Sequence, residues 1–133
     1  MSRHRLFDVD GLPPPSGFSY GSLSSGGRLL HIAGLTGHSG DGSIAEDLVD
    51  QFAAACRAVA GVIAEAGGAP SDLVALTIYT TDVAEYRAAR KQLGEAYRAV
   101  FATHYPPMAL IGVRELFDPR ARVELVGVAI VPD

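Results

Sequence analysis

The strongest constraint on the fold is the stretch from Arg122 to Val131, in which apolar side chains occupy both odd and even positions. Strict alternation would indicate a strand with one face in solvent, whereas apolar residues on both faces indicate a strand that is covered on both sides. Glu124 is the only acidic residue in this stretch. A single carboxylate in such a strand is either paired with a cation or functional.

A second strand is predicted to begin at Met108, directly after Pro106-Pro107. Neither a helix nor a central sheet ladder accommodates two prolines, so the chain must enter this strand from an extended corner. Met108 is therefore expected at the mouth of the strand.

The first half of the chain predicts a hairpin followed by a long helix. The segments Phe18–Leu23 and Arg28–Ala33 flank a turn that is rich in Ser and Gly, and they are predicted to pair as a β-hairpin. Ser43-Ile44-Ala45-Glu46 has the spacing of a capping box, and apolar residues then recur at helical intervals until Gly67-Gly68.

The second half predicts a strand and a second helix. Residues 72–80 alternate, which places Leu73 with Thr77 on one face. Asp82 then caps a helix that ends by His104. The order ββ-α-β-α-ββ predicts an α+β fold with two helices packed on one face of a mixed sheet. The other face needs cover, which a second subunit supplies most easily for so short a chain.

These segments together resemble the RidA/YjgF family of small imine and enamine deaminases. The resemblance extends from about residue 17 to residue 129. Its motifs are Gly17-Phe18-Ser19-Tyr20, Ile32-Ala33-Gly34-Leu35, Gln51 through Glu65-Ala66-Gly67, Asp72 through Asp82, Pro106-Pro107-Met108 and Val123-Glu124-Leu125. It implies the RidA/YjgF (chorismate mutase-like) fold and a homotrimer whose sheets line a central barrel, with ligand clefts between adjacent subunits.

One departure from the family concerns its Pro-Ala-Arg motif, whose arginine can hold a substrate carboxylate through two hydrogen bonds. This chain has Met108 at that position, and a thioether cannot hold an anion. Ala33 and Leu35 stand where the family has Ser and Gln, and Arg90 stands where members often have Asn. The resemblance therefore implies a pocket of different polarity and a different substrate.

The resemblance assigns a catalytic role to Glu124. In the family, a glutamate at this position lies in the cleft, where it orients or deprotonates the water that attacks an iminium carbon. The alternative is a structural ion pair with Arg122, Arg114 or Arg120 of the same or a neighbouring chain.

Tyr20 matches the family's cleft tyrosine by its distance from Gly34 and is the second candidate catalytic residue. Phe18 takes its place if the alignment is anchored on Gly17, and either ring could instead serve packing at the edge. Gly34 matches the residue whose backbone carries a hydrogen bond to ligand or water, although a simple turn glycine fits equally well.

Four further residues are predicted to bind substrate together with Gly34 and Phe18. Arg90 or Arg114 could restore the positive charge that Met108 lacks, or Arg90 could simply extend its charged end into solvent. Met108 and Leu110 could instead form an apolar wall for an uncharged or hydrophobic substrate.

Composition excludes several other functions. The length fits one domain over residues 1–133, with an N-terminal strand and a Pro-rich connection in residues 1–16. A net charge of −4 provides no basic field for nucleic acid. Single Cys56 and the lack of ~18 consecutive apolar residues predict a cytoplasmic protein without a disulfide framework or membrane contact. The four histidines lack metal-ligand spacing, and neither a metal nor another cofactor is expected.

The predicted activity is hydrolytic deamination of reactive imine or enamine intermediates, with a substrate specificity altered by Met108. The alternative is a non-catalytic trimeric small-molecule-binding or accessory protein of the same fold. An endoribonuclease activity, described for some family members, is disfavoured by the acidic charge and by the lack of a His/Lys catalytic cluster.

Overall fold

The structure is a computed structural model that describes residues 2–133 and has, within them, six strands and three α-helices. In chain order these are β1 (His4–Phe7), β2 (Gly21–Ser24), β3 (Arg28–His31), α1 (Leu48–Glu65), β4 (Leu73–Thr80), α2 (Val83–Ala88), α3 (Arg90–Phe101), β5 (Met108–Gly112) and β6 (Val123–Val131). A mixed sheet has the spatial order β3-β6-β4-β5, and β1 pairs with β2 separately. The predicted α+β fold class is confirmed.

The central strand β6 divides the sheet into two faces. Val123, Leu125 and Ala129 are fully buried in a core shared with α1 and α3, and we call this side the helix face. The alternate residues Glu124 and Val126 are only half-buried on the opposite side, which we call the open face. The apolar character of both faces, predicted for residues 122–131, thus reflects two different environments.

The predicted β-hairpin is wrong. β2 pairs with β1, with Leu23 opposite Arg5, whereas β3 pairs with β6, with Leu30 opposite Ala129. The strands that were expected to pair belong to different sheets. Gly26 and Gly27 between them both have positive φ values, 71° and 95°, which let the chain turn from one sheet to the other.

The predicted start of α1 is also wrong. Asp47 is the N-cap residue, and its carboxylate accepts a hydrogen bond from the Asp50 N–H at 3.1 Å. Ser43 instead donates its N–H and its hydroxyl to the Asp41 carboxylate, at 3.0 and 2.7 Å. The end of the helix agrees with the prediction, because Gly67 follows with a φ of 88°.

A bulge in β4 overturns the predicted grouping of Leu73 with Thr77. The pairing register with β6 shifts between Leu73 and Ala75, so Leu73 lies opposite Ala129 and is fully buried on the helix face. Simple alternation counted back from Thr77 would have placed Leu73 on the open face.

The second predicted helix begins as expected and is then interrupted. Asp82 accepts a hydrogen bond from the Glu85 N–H at 3.0 Å, which confirms it as the cap. Ala89 separates α2 from α3, with Leu93 and Tyr97 of α3 buried against the sheet. None of the helices in residues 2–133 is long and apolar enough to cross a membrane.

Candidate functional site

The predicted site residues lie on both faces of the sheet. Met108 begins β5 at the predicted strand mouth, pairs with buried Leu76 and packs against the core on the helix face. Glu124 pairs with Tyr79 and lies on the open face. Since the two side chains leave the sheet in opposite directions, the fold of one chain does not bring them together.

An apolar pocket of about 350 Å³ lies on the helix face, between β5 and the helices α2 and α3. We call it the aromatic pocket, because five aromatic residues line it: Phe18, Phe52, Tyr86, Tyr97 and Tyr105. It also contains four of the predicted substrate-binding residues: Phe18, Arg90, Met108 and Leu110. A concave site with this lining favours a ligand that has a bulky apolar group.

One helical stripe forms a wall of the aromatic pocket. Tyr86, Arg90, Leu93 and Tyr97 line it at successive intervals of three or four residues, and Gly94, four residues after Arg90, lines it as well. Arg90 is the charged residue among the lining residues that the structure describes, and its side chain is exposed. A cation therefore stands near Met108, on a helix instead of on the strand.

Of the two aromatic alternatives near the N-terminus, Phe18 lines the aromatic pocket and Tyr20 does not. The Tyr20 hydroxyl donates to the Pro13 carbonyl at 2.6 Å, and its ring packs edge-on against Phe18 with 5.4 Å between centroids. Ser19, to which the sequence motif gave no role of its own, donates from its hydroxyl to the Tyr105 carbonyl at 2.6 Å. These contacts hold Phe18 beside the proline corner before β5.

On the open face, the Glu124 carboxylate lies against the backbone of Gly34. The next residues, Leu35 and Leu125, exchange two backbone hydrogen bonds of 2.8 and 2.9 Å, which keeps the two segments adjacent. A Cβ atom at Gly34 would lie only 2.8 Å from Cδ and from Oε2 of Glu124. A glycine is therefore needed for this close approach.

Two of the arginines considered as partners of Glu124 pair with other acids. Arg122 forms an ion pair with Glu85, and Arg120 forms one with Asp118 at 2.7 Å. Over residues 2–133, none of the ion pairs includes Glu124. The structural alternative for Glu124 is therefore not realised within one chain.

Arg114 lies away from the aromatic pocket, in a second cleft of about 910 Å³. This cleft opens at the ends of β4 and β5 that lie opposite Met108, and Asp82, Glu115 and Arg120 also line it. Of the two arginines proposed to replace the missing charge, Arg90 is the one that shares a pocket with Met108.

Gln51 is a residue whose role the sequence did not reveal. It is fully buried on α1, and its Nε2 donates to the carbonyls of Ala45 and Arg120 at 2.7 and 3.0 Å. Its Oε1 accepts from the Arg122 N–H at 2.8 Å, two residues before Glu124. A buried amide with these bonds fixes the start of β6. A glutamine on the apolar face of α1 was the available signal.

The chain matches the family model described as Endoribonuclease L-PSP over residues 13–131. A solved structure of the Rid family protein YyfB from Yersinia pestis is 25% identical, with 97% of this chain and 99% of that chain covered and a TM-score of 0.87. A YjgF family member from Mycobacterium tuberculosis is 25% identical, with coverages of 96% and 99% and a TM-score of 0.66. RidA from an Antarctic Psychrobacter has the same fold at 20% identity, with coverages of 96% and 99% and a TM-score of 0.69. No curated protein is significantly similar in sequence.

Proposed function

The chain belongs to the Endoribonuclease L-PSP family, which includes the Rid (YjgF) proteins, and from this premise we propose that it hydrolyses reactive imines or enamines. The observation that carries the proposal is the Glu124 carboxylate, which lies against the Gly34 backbone and forms no ion pair in residues 2–133. A carboxylate that no cation neutralises is available as a base.

The proposed reaction is addition of water to a C=N bond followed by loss of ammonia. An enamine first takes a proton on carbon and becomes the iminium form of the imine. Glu124 accepts a proton from the water while the water oxygen attacks the iminium carbon, and the C=N electron pair moves to nitrogen. Glu124 then returns this proton to the nitrogen of the amino alcohol, the carbon–nitrogen bond breaks to release ammonia, and the hydroxyl group loses its proton to solvent as the C=O group forms. The net reaction consumes one water and involves no oxidation, so the chemistry requires no redox cofactor. Gly34 would position the water or the substrate through its backbone.

A homotrimer would complete this site. Because Glu124 and the aromatic pocket lie on opposite faces, we place the pocket of one subunit opposite Glu124 of its neighbour. Large apolar side chains on the outer strands of the open face support such an assembly: Leu29 is 62% exposed and Ile111 is 43% exposed. Each of the three clefts would then use both faces of the sheet.

The pocket supports an altered substrate specificity. Met108, which the sequence resemblance assigns to the position of the family arginine, lines the pocket, and Leu110 continues the apolar wall on the same face of β5. A flexible thioether beside aromatic rings accommodates an apolar group and offers no hydrogen-bond donor to a carboxylate. The substrate would therefore carry a bulky apolar group that reaches into the aromatic pocket.

The decisive test is ammonia release from imines produced in situ by an amino-acid oxidase or an amine oxidase. We expect wild-type protein to accelerate release and Glu124→Gln to reduce the rate by about 10²-fold or more, as for loss of a general base. Glu115→Gln, an exposed acid in the other cleft, is the matched control and should retain full activity. Equal rates for wild type and Glu124→Gln on every accepted imine would refute the proposed base.

A non-catalytic binding protein is the second candidate function. The aromatic pocket favours this function, because a single chain forms the pocket and none of its lining residues that the structure describes is acidic. In that case, apolar metabolites would raise the melting temperature, because they bind the folded state preferentially, while no ammonia appears from any imine.

A further inference from the structure

We propose that Thr36, His38 and Asp118 form a second reactive centre, in which Thr36 is a nucleophile toward activated acyl compounds such as esters. The three side chains are joined by consecutive hydrogen bonds. The Thr36 hydroxyl lies 2.5 Å from Nδ1 of His38, and Nε2 of His38 lies 2.8 Å from Oδ2 of Asp118. A hydroxyl beside a base that a third group orients is the arrangement that activates a nucleophile. This activity is separate from the proposed deamination, whose reaction uses none of the three residues.

The charge of Asp118 determines which nitrogen of His38 can act as the base. Hydrogen bonds from Arg120, and then from His38, hold the pKa of Asp118 well below its ordinary value of 3.8. An ionised carboxylate can only accept, so Nε2 of His38 must carry the hydrogen in this contact. In the neutral imidazole Nδ1 then has no hydrogen, and it accepts the hydrogen bond from the Thr36 hydroxyl. The contacts therefore select the tautomer in which His38 can remove the Thr36 proton.

Asp118 and His38 are both held in place by other parts of the chain. Arg120 donates to the Asp118 carboxylate from its N–H at 2.8 Å, from Nε at 3.1 Å and from Nη2 at 2.7 Å. Next to His38, Gly37 is buried so tightly against α1 that an added Cβ would lie 2.5 Å from the Gln51 carbonyl oxygen. The base and its orienting carboxylate are therefore preorganised.

The centre borders the second cleft, the one of about 910 Å³. Ile44, which forms a β-bridge with His38, lines that cleft, and so does Arg120, which holds Asp118. Thr36 is half-buried, and the side chains of His38 and Asp118 are 27% and 23% exposed. A small acyl compound would enter from this cleft.

The reaction is transfer of an acyl group to Thr36 and then to water. Oγ1 of Thr36 attacks the acyl carbon while Nδ1 of His38 takes the hydroxyl proton, and the C=O electron pair moves to oxygen. The bond to the leaving oxygen then breaks, the C=O group forms again, and His38 gives its proton to the leaving group. Water next attacks the acyl carbon and gives a proton to His38, which returns it to Oγ1 as the bond to Thr36 breaks. The net reaction converts an ester and water into an acid and an alcohol.

Acylation of Thr36 itself is the most direct test. The wild-type protein is incubated with p-nitrophenyl acetate and quenched with acid, and peptide mapping by mass spectrometry then locates the acetyl group. We expect an acetyl ester on Thr36 together with release of p-nitrophenolate. A hydrogen-bond network that only supports the fold would leave Thr36 unmodified. Absence of acetyl-threonine at this position in the wild-type protein therefore overturns the proposal.

Variants separate the nucleophile from the base. Thr36→Val should lower the protein-dependent release of p-nitrophenolate by about 10²-fold, because it removes the attacking hydroxyl. Thr36→Ser keeps a hydroxyl and should restore both the release and the acetylation at the same position. His38→Gln should slow acetylation by about 10²-fold, as for loss of a general base.

Thr77→Val and His31→Asn are the matched controls. Thr77 is half-buried on the open face of β4, and His31 is exposed at the end of β3. Both variants should retain the wild-type rate of acetylation, and melting temperatures measured in parallel verify that each variant is folded. A wild-type rate in Thr36→Val, or losses in the controls equal to those in Thr36→Val and His38→Gln, would overturn the proposal.

Discussion

The helix face and the open face of the central sheet are built from the same strands but differ in what their side chains do. On the helix face, Val123 and Leu125 are completely buried beneath α1 and α3. On the open face, Glu124 lies between them in sequence, half-buried, and Leu29 of the neighbouring strand is 62% exposed. Adjacent residues of one strand therefore stabilise the core on one side and, on the other, remain available for the proposed chemistry and association.

The same difference separates the proposed ligand pocket from the proposed catalytic base. The aromatic pocket on the helix face is lined by residues of a single chain, whereas the open face presents a carboxylate beside Gly34. A ligand can thus be held by residues that are stabilised by the core, while the proposed base stands where a second subunit can approach.

The largest expected effect is a loss of stability when a side chain of the helix face is shortened. Leu125→Ala should lower the free energy of unfolding by about 2–5 kcal/mol, because it leaves a cavity in a fully packed core. Val126→Ala, next along β6 on the open face, should cost clearly less, since Val126 is only half-buried. Urea denaturation measures both, and equal losses would break the distinction between the faces.

The next effect concerns the contact between Gly34 and Glu124. Gly34→Ala adds a methyl group 2.8 Å from the carboxylate and should displace it, lowering deaminase activity by about tenfold or more, as small misplacements of catalytic groups do. Binding of small apolar ligands in the aromatic pocket, measured by titration calorimetry, should remain unchanged. Gly40→Ala, whose Cβ would meet nothing within 4 Å, is the control. Unchanged kinetics in Gly34→Ala would show that the position of the carboxylate does not matter.

A moderate, pH-dependent effect is expected at Asp72, which ties the β1-β2 sheet to the central sheet. Its carboxylate accepts hydrogen bonds from Arg3 at 2.8 Å and His4 at 3.0 Å, and Arg3 also donates to the Ile130 carbonyl of β6. Burial alone would raise the pKa of Asp72, but hydrogen bonds from the Ala69 N–H and His4, together with the charge of Arg3, lower it below 3.8.

A lowered pKa in the folded state means that Asp72 contributes stability above its unfolded pKa of 3.8, and that this contribution is lost as pH falls through the lower folded value. Asp72→Asn should therefore destabilise the protein at pH 6 and reduce the loss of stability below about pH 4. Urea midpoints from pH 6 to pH 3 test this, with exposed Asp10→Asn as the control. Parallel curves for wild type and Asp72→Asn would contradict it.

The smallest effect on stability should come from Leu29→Ser on the open face. Because Leu29 is 62% exposed, the intrinsic free energy of unfolding should change by less than about 0.5 kcal/mol. Self-association should nevertheless weaken, which sedimentation velocity would show as a lower mass. Leu12→Ser, 49% exposed in the N-terminal connection, should leave the mass unchanged. A wild-type protein that is monomeric at all concentrations would refute the proposed assembly.

Local sequence patterns were sufficient to predict several elements of the fold. The strand after Pro106-Pro107 begins at Met108, Asp82 caps the second helix, and residues 123–131 form a strand that is apolar on both faces. Each depends on neighbours within a few residues: proline geometry, a carboxylate that accepts a nearby N–H, and apolar periodicity. The order of the motifs also indicated the family, which the match over residues 13–131 confirms.

Long-range contacts decided which strands pair and which residues meet at the aromatic pocket. The sequence could not tell that β2 and β3 join different sheets, because a short glycine-containing segment suits both a hairpin and a crossing. Nor could it choose Phe18 over Tyr20, or Arg90 over Arg114, as neighbours of Met108, since that choice depends on which elements meet at the aromatic pocket. Amino-acid order alone determined the strands β5 and β6, the cap at Asp82 and the family. Only the tertiary structure placed Met108 and Glu124 on opposite faces, because the direction of a side chain depends on strand register and packing against distant segments.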